Sequence, residues 1–212
     1  MVYKEALEVF HQAGGSNEEF YWLVSSVLVR YPAYKRELEI RRKLMDLIVQ
    51  EVEGRVLDVG CGLGILTFRM ASKDEVKKAV GIDSSCELIE FCNRLRSRIM
   101  EKAEFLCSDF LSVDIDEKFD CIVFLYTLHD YEPEVFLEKA LKILENGGKI
   151  IIGDFDIKGL GKKVKAFAQE NRLEIVKDTT LGKAKTHGDS YEAFLIVARR
   201  LKNEGRPNPY AR

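Results

Sequence analysis

The sequence is poor in several features whose presence would point elsewhere. No apolar run approaches the roughly 20 residues that a membrane-spanning helix needs. The most apolar early stretch, Phe20 to Val29, is broken by Ser25 and Ser26. The N-terminus has no charged start leading into an apolar segment, so no signal peptide is expected. Neither sign of charge is in excess. Lys+Arg is 33 against Asp+Glu 35, a net charge of -2, and a general nucleic-acid binder would carry a basic surplus. The five cysteines, Cys61, Cys86, Cys92, Cys107 and Cys121, are odd in number and contain no C-x-x-C pair. Neither a disulfide framework nor a zinc or other metal site is expected from them. Free, mostly buried thiols in a reducing cytoplasm are the expectation. Low-complexity segments and repeats are missing as well.

What is present suits one globular domain with a small appendage. The chain has 212 residues, and a domain usually takes roughly 100–200. Charged residues make up 32%, above the usual ~25%, and only Gln12, Gln50 and Gln169 are glutamines. Such a surface suits a heat-adapted protein or an ordinary Lys- and Glu-rich one.

Residues 1–52 read as a helical cap. Phe20, Leu23, Val24, Val27 and Leu28 form one helical stripe, with Tyr21, Trp22 and Val29 off it. That helix is therefore apolar on more than one face. Pro32 interrupts it, and Ile40, Leu44, Leu47 and Ile48 carry a further helix toward Gly54. From Arg55 short apolar runs alternate with helical stretches. The runs are 55–59, 78–82, 104–107, 120–126 and 149–153, followed by 173–179 and 191–199; helices are expected near 63–72, 85–99, 133–145 and 160–171. Continuous apolar runs, each followed by a helix, indicate a mostly parallel α/β sheet covered on both faces, doubly wound. The core domain spans 53–201, and 202–212 reads as a frayed tail. In such sheets ligands sit beyond the carboxyl ends of the strands.

The first strand ends in Asp58-Val59-Gly60-Cys61-Gly62-Leu63-Gly64, and a helix follows. Glycines there let the backbone turn sharply and approach a ligand. The second strand ends at Asp83, 23 residues after Gly60, where an acid can accept ribose hydroxyls. A dinucleotide fingerprint would need Gly or Ala where Ile65 stands. A nucleotide-dependent oxidoreductase is disfavoured on that ground.

The stretch Asp58 to Gly64 resembles motif I of the class I S-adenosylmethionine-dependent methyltransferases. Asp83 with Ser84 resembles that family's ribose-binding position. Cys107-Ser108-Asp109-Phe110 resembles the site where an Asp meets the adenine amino group and its neighbour packs on the ring. Phe119 to Tyr126 resembles the fourth-strand motif, and Leu141 to Ile152 the fifth, with Asn146 in place of the family's usual Pro. The resemblance implies a Rossmann-like, seven-stranded sheet whose last strand runs antiparallel. It also implies S-adenosylmethionine as cofactor, held by Asp58, Gly60, Cys61, Gly62, Gly64, Asp83, Ser84, Asp109, Phe110, Leu125 and Tyr126.

For the acceptor, no Asn/Asp-Pro-Pro-Tyr/Phe sequence is present, which argues against amino-methyltransferases of DNA bases and glutamine side chains. His129 in Thr127-Leu128-His129-Asp130 is reminiscent of small-molecule methyltransferases. It can remove a proton from an acceptor hydroxyl, or it can cap the next helix. Tyr21, Trp22, Tyr31 and Tyr34 either form a lid lining an acceptor pocket, with Tyr21 and Tyr31 against substrate, or serve helix packing or a homodimer contact. Asp154 and Asp156 read as a solvated loop after the fifth strand, and Lys183 to Gly188 as a basic hairpin turn. The expectation is a cytoplasmic methyltransferase for a small molecule; a protein or RNA methyltransferase and a non-catalytic binding protein of the same fold are the alternatives.

Overall fold

The computed structural model describes residues 32–99, 101–186 and 189–202. Tyr21, Trp22 and Tyr31, most of the N-terminal cap, His187 and the tail from residue 203 lie outside the described residues.

Helix α1 (Pro32–Glu51) opens on a proline, where the missing N–H costs nothing because the first helical donors have no intrahelical partner. Ile40, Leu44 and Ile48 recur at i, i+4 and are buried, so one stripe of α1 docks on the sheet. The chain then runs β1 (Gly54–Val59), α2 (Ile65–Ala71), β2 (Val76–Asp83), α3 (Cys86–Ile99), β3 (Ala103–Cys107), β4 (Phe119–Leu125), α4 (Pro133–Ile143), β5 (Leu144–Phe155), α5 (Leu160–Glu170), β6 (Leu173–Thr186) and β7 (Asp189–Arg200).

The seven strands form one sheet in the order β3-β2-β1-β4-β5-β7-β6. Pairing is parallel from β3 through β5, and β7 is antiparallel to both β5 and β6. The doubly wound, mostly parallel sheet with an antiparallel last strand is therefore as the sequence implied. Successive side chains alternate faces. Leu57 and Val59 of β1 join the core under α4 and α5. Val56 joins the core under α1 and α2, and Asp58 shares its face. Of the described residues, no helix is long and apolar enough to cross a membrane.

Three expectations need correction. Cys86 and Cys107 are joined in a disulfide, with Cα atoms 5.0 Å apart. Parallel pairing sets Asp83 beside Cys107, which brings the end of β3 to the start of α3, inside the range a disulfide spans. Cysteine spacing along the chain carries no trace of that pairing. Cys61, Cys92 and Cys121 are free. Asp154 is no loop residue: it lies within β5 and is fully buried. Lys183, Ala184 and Lys185 belong to β6 and pair with Glu192, Tyr191 and Ser190, so the basic stretch is strand rather than turn.

Candidate active site

From β1 the chain moves outward through β2 and β3 on one side, and β4 and β5 fill the other. The reversal opens a crevice between the carboxyl ends of β1 and β4. The loop after β1 enters that crevice. Gly60 N–H donates to the Ile82 carbonyl at 2.8 Å, with φ at 75°. A Cβ there would lie 2.7 Å from Thr127 Oγ1, so only glycine allows the β1 and β4 loops to approach so closely. Thr127 Oγ1 donates to the Val59 carbonyl at 2.9 Å and fastens the same two loops. Gly64, at φ 70°, starts α2; a Cβ would strike Phe105 at 2.7 Å.

Asp83 ties the second and third walls together. Its Oδ2 accepts the Gly62 N–H and its Oδ1 the Ser85 N–H, both at 2.9 Å. Each carboxylate oxygen keeps a further lone pair. Across from it, the Ser108 N–H donates to the Asp83 carbonyl at 3.0 Å. These groups border a cavity of about 540 Å³ lined by Gly60, Asp83, Ser84, Asp109, Phe110, Tyr126 and Thr127, with Tyr131 and Phe136 among its further walls. Phe110 stacks on Phe136 at 5.9 Å and meets Phe124 edge-on at 6.1 Å. The result is a flat apolar floor beside the Asp109 carboxylate.

A smaller cavity of about 170 Å³ continues past Gly60 and Tyr126, which border both spaces, to Arg41, Met45, Asp58, Cys61 and Leu125. Asp58 is almost completely buried, and Thr67 Oγ1 donates to its Oδ2 at 2.6 Å. Burial, aided by the charge of Asp83 and opposed by the Thr67 hydrogen bonds, pushes its pKa up to about 7. A carboxylate so desolvated favours a cation beside it. Burial also raises the Cys61 thiol, with Asp58 adding to the effect, so Cys61 stays neutral and packs.

Tyr126 has φ 56°, a conformation few non-glycine residues hold without support. Its ring stacks on Phe155 at 5.2 Å, and the Arg41 guanidinium covers it at 4.0 Å. Its hydroxyl is buried without a hydrogen-bond partner among the described residues. Just beyond, His129 Nδ1 lies 2.7 Å from Asp154 Oδ1. Asp154 also accepts the Leu128 N–H at 3.2 Å and the Phe155 N–H at 2.8 Å. The Asp154 hydrogen bond raises the His129 pKa, against the opposing effect of burial.

The crevice thus gathers most of the residues expected from sequence. Gly62 and Gly64 line neither cavity; they shape the loop from behind. His129 lines neither cavity and sits at the Tyr126 end. Tyr21 and Tyr31 lie outside the described residues. Sequence reasoning missed Arg41, whose signal was a Glu37–Arg41 i, i+4 pair on a helix read only for its apolar stripe. It misjudged Asp154, which follows the apolar run Ile150–Gly153 and stands before Phe155 within the same strand.

A family model described as "Methyltransferase domain" matches residues 50–197. The chain is 31% identical over 143 residues to the mitochondrial ubiquinone biosynthesis O-methyltransferase of Candida albicans, covering 65% of this chain but 42% of that protein. It therefore spans about two fifths of that relative. To a protein-lysine N-methyltransferase of Saccharolobus islandicus it is 28% identical over 127 residues, covering 59% of this chain and 77% of that protein. Its fold is similar to that of the N-methyltransferase NodS from Bradyrhizobium japonicum in complex with S-adenosyl-L-homocysteine. There the TM-score is 0.64 at 19% identity, over 78% of this chain and 87% of that one.

Proposed function

Because this chain belongs to the class I S-adenosylmethionine-dependent methyltransferases, we propose that it methylates a hydroxyl group of a small-molecule acceptor. The observation that carries this reading is the His129–Asp154 pair at 2.7 Å. Methylating a hydroxyl requires a group that takes its proton. With Nδ1–H given to Asp154, Nε2, which lies 3.6 Å from the exposed Asp130 carboxylate, is the ring atom that receives it. The near-zero net charge and the likeness to a ubiquinone biosynthesis O-methyltransferase support a small acceptor.

The residues present fit the cofactor. Gly60 borders both cavities at the end of β1, and buried Asp58 has a hydroxyl but no cation as its hydrogen-bond partner among the described residues. When bound, S-adenosylmethionine supplies a methyl group already activated on a sulfonium cation. The chain's part is to hold and align. In this reading Asp83 accepts the ribose hydroxyls, with Ser84 beside it. Asp109 meets the adenine amino group, and Phe110 packs on the ring. Asp58, Gly60 and Cys61 take the methionyl end, while Leu125 and Tyr126 flank the sulfonium.

In this reading residues 53–201 are the cofactor domain and residues 1–52, with Tyr21 and Tyr31, are a separate N-terminal cap whose tyrosines contact the acceptor. We place the protein in the cytoplasm of a heat-adapted cell. Intracellular disulfides persist in such cells, and the charge-rich composition points the same way.

The test measures S-adenosylhomocysteine release from purified protein offered phenols, small amines and lysine-containing peptides. Turnover with phenols that falls at least a hundredfold in His129→Gln supports the reading. Turnover with lysine peptides alone would overturn it and favour the protein-lysine alternative, to which the Saccharolobus likeness points.

A further inference from the structure

We propose that the Cys86–Cys107 bond is a thiol–disulfide exchange site for a dithiol reductant, and that its state sets the affinity for the cofactor. The inference goes beyond the cofactor reading above and rests on its placing of ribose at Asp83 and adenine at Asp109.

The two cysteines flank the walls given to the adenosine. Asp83 and Ser84 come just before Cys86, and Ser108, Asp109 and Phe110 directly follow Cys107. All five of those neighbours line the larger cavity. Strand β3 lies at the edge of the sheet and has five residues, so strand pairing holds its carboxyl end from one side alone. The last rungs there are the Asp83–Cys107 register pair and the Ser108 N–H given to the Asp83 carbonyl at 3.0 Å. The disulfide adds a covalent tie between the two walls. With the bond closed, the walls are set before the ligand arrives. With it open, binding must order them, and that ordering costs affinity.

The bond is open to attack. Cys86 is exposed and Cys107 half-buried, and exposed disulfides are the labile ones. One thiolate of the dithiol attacks Cys86 Sγ. The Sγ–Sγ bond breaks, and Cys107 leaves and takes up a proton. The second thiolate of the reductant then attacks its own sulfur in the mixed disulfide and releases Cys86, which is protonated in turn. The dithiol ends as a disulfide, and two electrons and two protons have passed to the protein. Cys86 opens helix α3, where unpaired N–H groups favour the departing thiolate. The remaining thiols do not compete in exchange. Burial raises all three, Cys92 up to about 12 and Cys121 up to about 11, so they stay neutral.

The competing role is stability alone, and affinity measured beside Tm separates the two. Calorimetry on the full chain, well below its Tm, would give dissociation constants for two ligands. One is S-adenosylhomocysteine; the other is 5′-methylthioadenosine, which keeps the adenine, ribose and thioether but lacks the amino acid end. The protein would be taken oxidised, reduced with dithiothreitol, and reoxidised, with alkylation and mass spectrometry counting the thiols. We expect reduction to free Cys86 and Cys107 and to weaken both ligands by about fivefold or more, and reoxidation to restore them. Cys86→Ser and Cys107→Ser should each bind like the reduced wild type and ignore dithiothreitol. A Tm that falls on reduction while both constants hold would leave the bond a structural brace and overturn the proposal. A bond that dithiothreitol does not open in the folded protein, or weakening of S-adenosylhomocysteine alone, would overturn it as well. Asp83→Ala, kept oxidised, tests the ribose assignment by itself: an unchanged constant there strikes that assignment, whatever reduction does.

Discussion

His129 and Asp154 meet at 2.7 Å, Nδ1 to Oδ1, in the turn after β4 and inside β5. A fully buried carboxylate that also accepts two backbone N–H groups fixes the ring against the end of the sheet. The arrangement orients an imidazole and raises its basicity together.

That pair predicts a pH dependence. The Asp154 hydrogen bond raises the His129 pKa from 6.5, and a base must be neutral to take a proton. With a hydroxyl acceptor, kcat should rise with pH through an inflection above 6.5. Asp154→Asn should move the inflection down, and His129→Gln should lower kcat by about a hundredfold or more. Stability runs the other way. A raised His pKa contributes stability that is fully present below the unfolded value and is lost as pH rises through the folded one. The Tm difference between wild type and His129→Gln should therefore be larger at pH 6 than at pH 9. An identical difference at both, with a flat kcat profile, would remove the base from the site.

Asp83 carries two tasks, bracing Gly62 and Ser85 and, in the proposed site, taking the ribose. Removing a buried polar partner costs about 1–3 kcal/mol. Asp83→Ala should raise the dissociation constant for S-adenosylmethionine at least tenfold by calorimetry. An unchanged constant would refute the ribose assignment.

The Cys86–Cys107 bond closes a loop across 21 residues, which joins the loop at Asp83 to the loop at Asp109. Closing a loop of that order stabilises by about 3 kcal/mol. At roughly 2–4 °C per kcal/mol for a chain this long, reductant should lower Tm by about 6–12 °C. Cys86→Ser should start at the lower Tm and show no response to reductant. A wild-type Tm indifferent to reductant would show that the bond adds nothing.

These residues also mark what the sequence made legible. The glycine loop, Asp83 and Asp109 were readable because each follows its own strand within a few residues, and a strand's carboxyl end is where ligands bind in this sheet. The inner parallel strands β1, β2, β4 and β5 were readable because double-sided burial leaves apolar runs. Asp154 was misread because an acid at the end of such a run looks like the start of a loop, and its partner sits 25 residues away. Arg41 was hidden by its own helix, where an i, i+4 pair with Glu37 normally means a solvated face. The disulfide depended on the register of β2 against β3, which no local pattern encodes.

Asp58 yields the sharpest electrostatic test. Its pKa is pushed up to about 7, chiefly by burial. A raised carboxylate pKa means that the folded state holds its proton longer than the unfolded state, whose value is 3.8. The ligand-free protein should accordingly lose stability as pH rises from about 4 to about 7. Binding a cationic ammonium group requires the ionised form, so affinity for S-adenosylmethionine should improve with pH across 6 to 8 and level off above. Asp58→Asn keeps the shape and an acceptor for the Thr67 hydroxyl but cannot ionise. It should flatten that pH dependence, bind the cofactor at least tenfold more weakly at pH 8, and leave 5′-methylthioadenosine nearly unaffected. Calorimetric titrations at pH 6, 7 and 8 would check all three. A variant that keeps the wild-type slope would place the titrating group elsewhere and detach Asp58 from the ammonium.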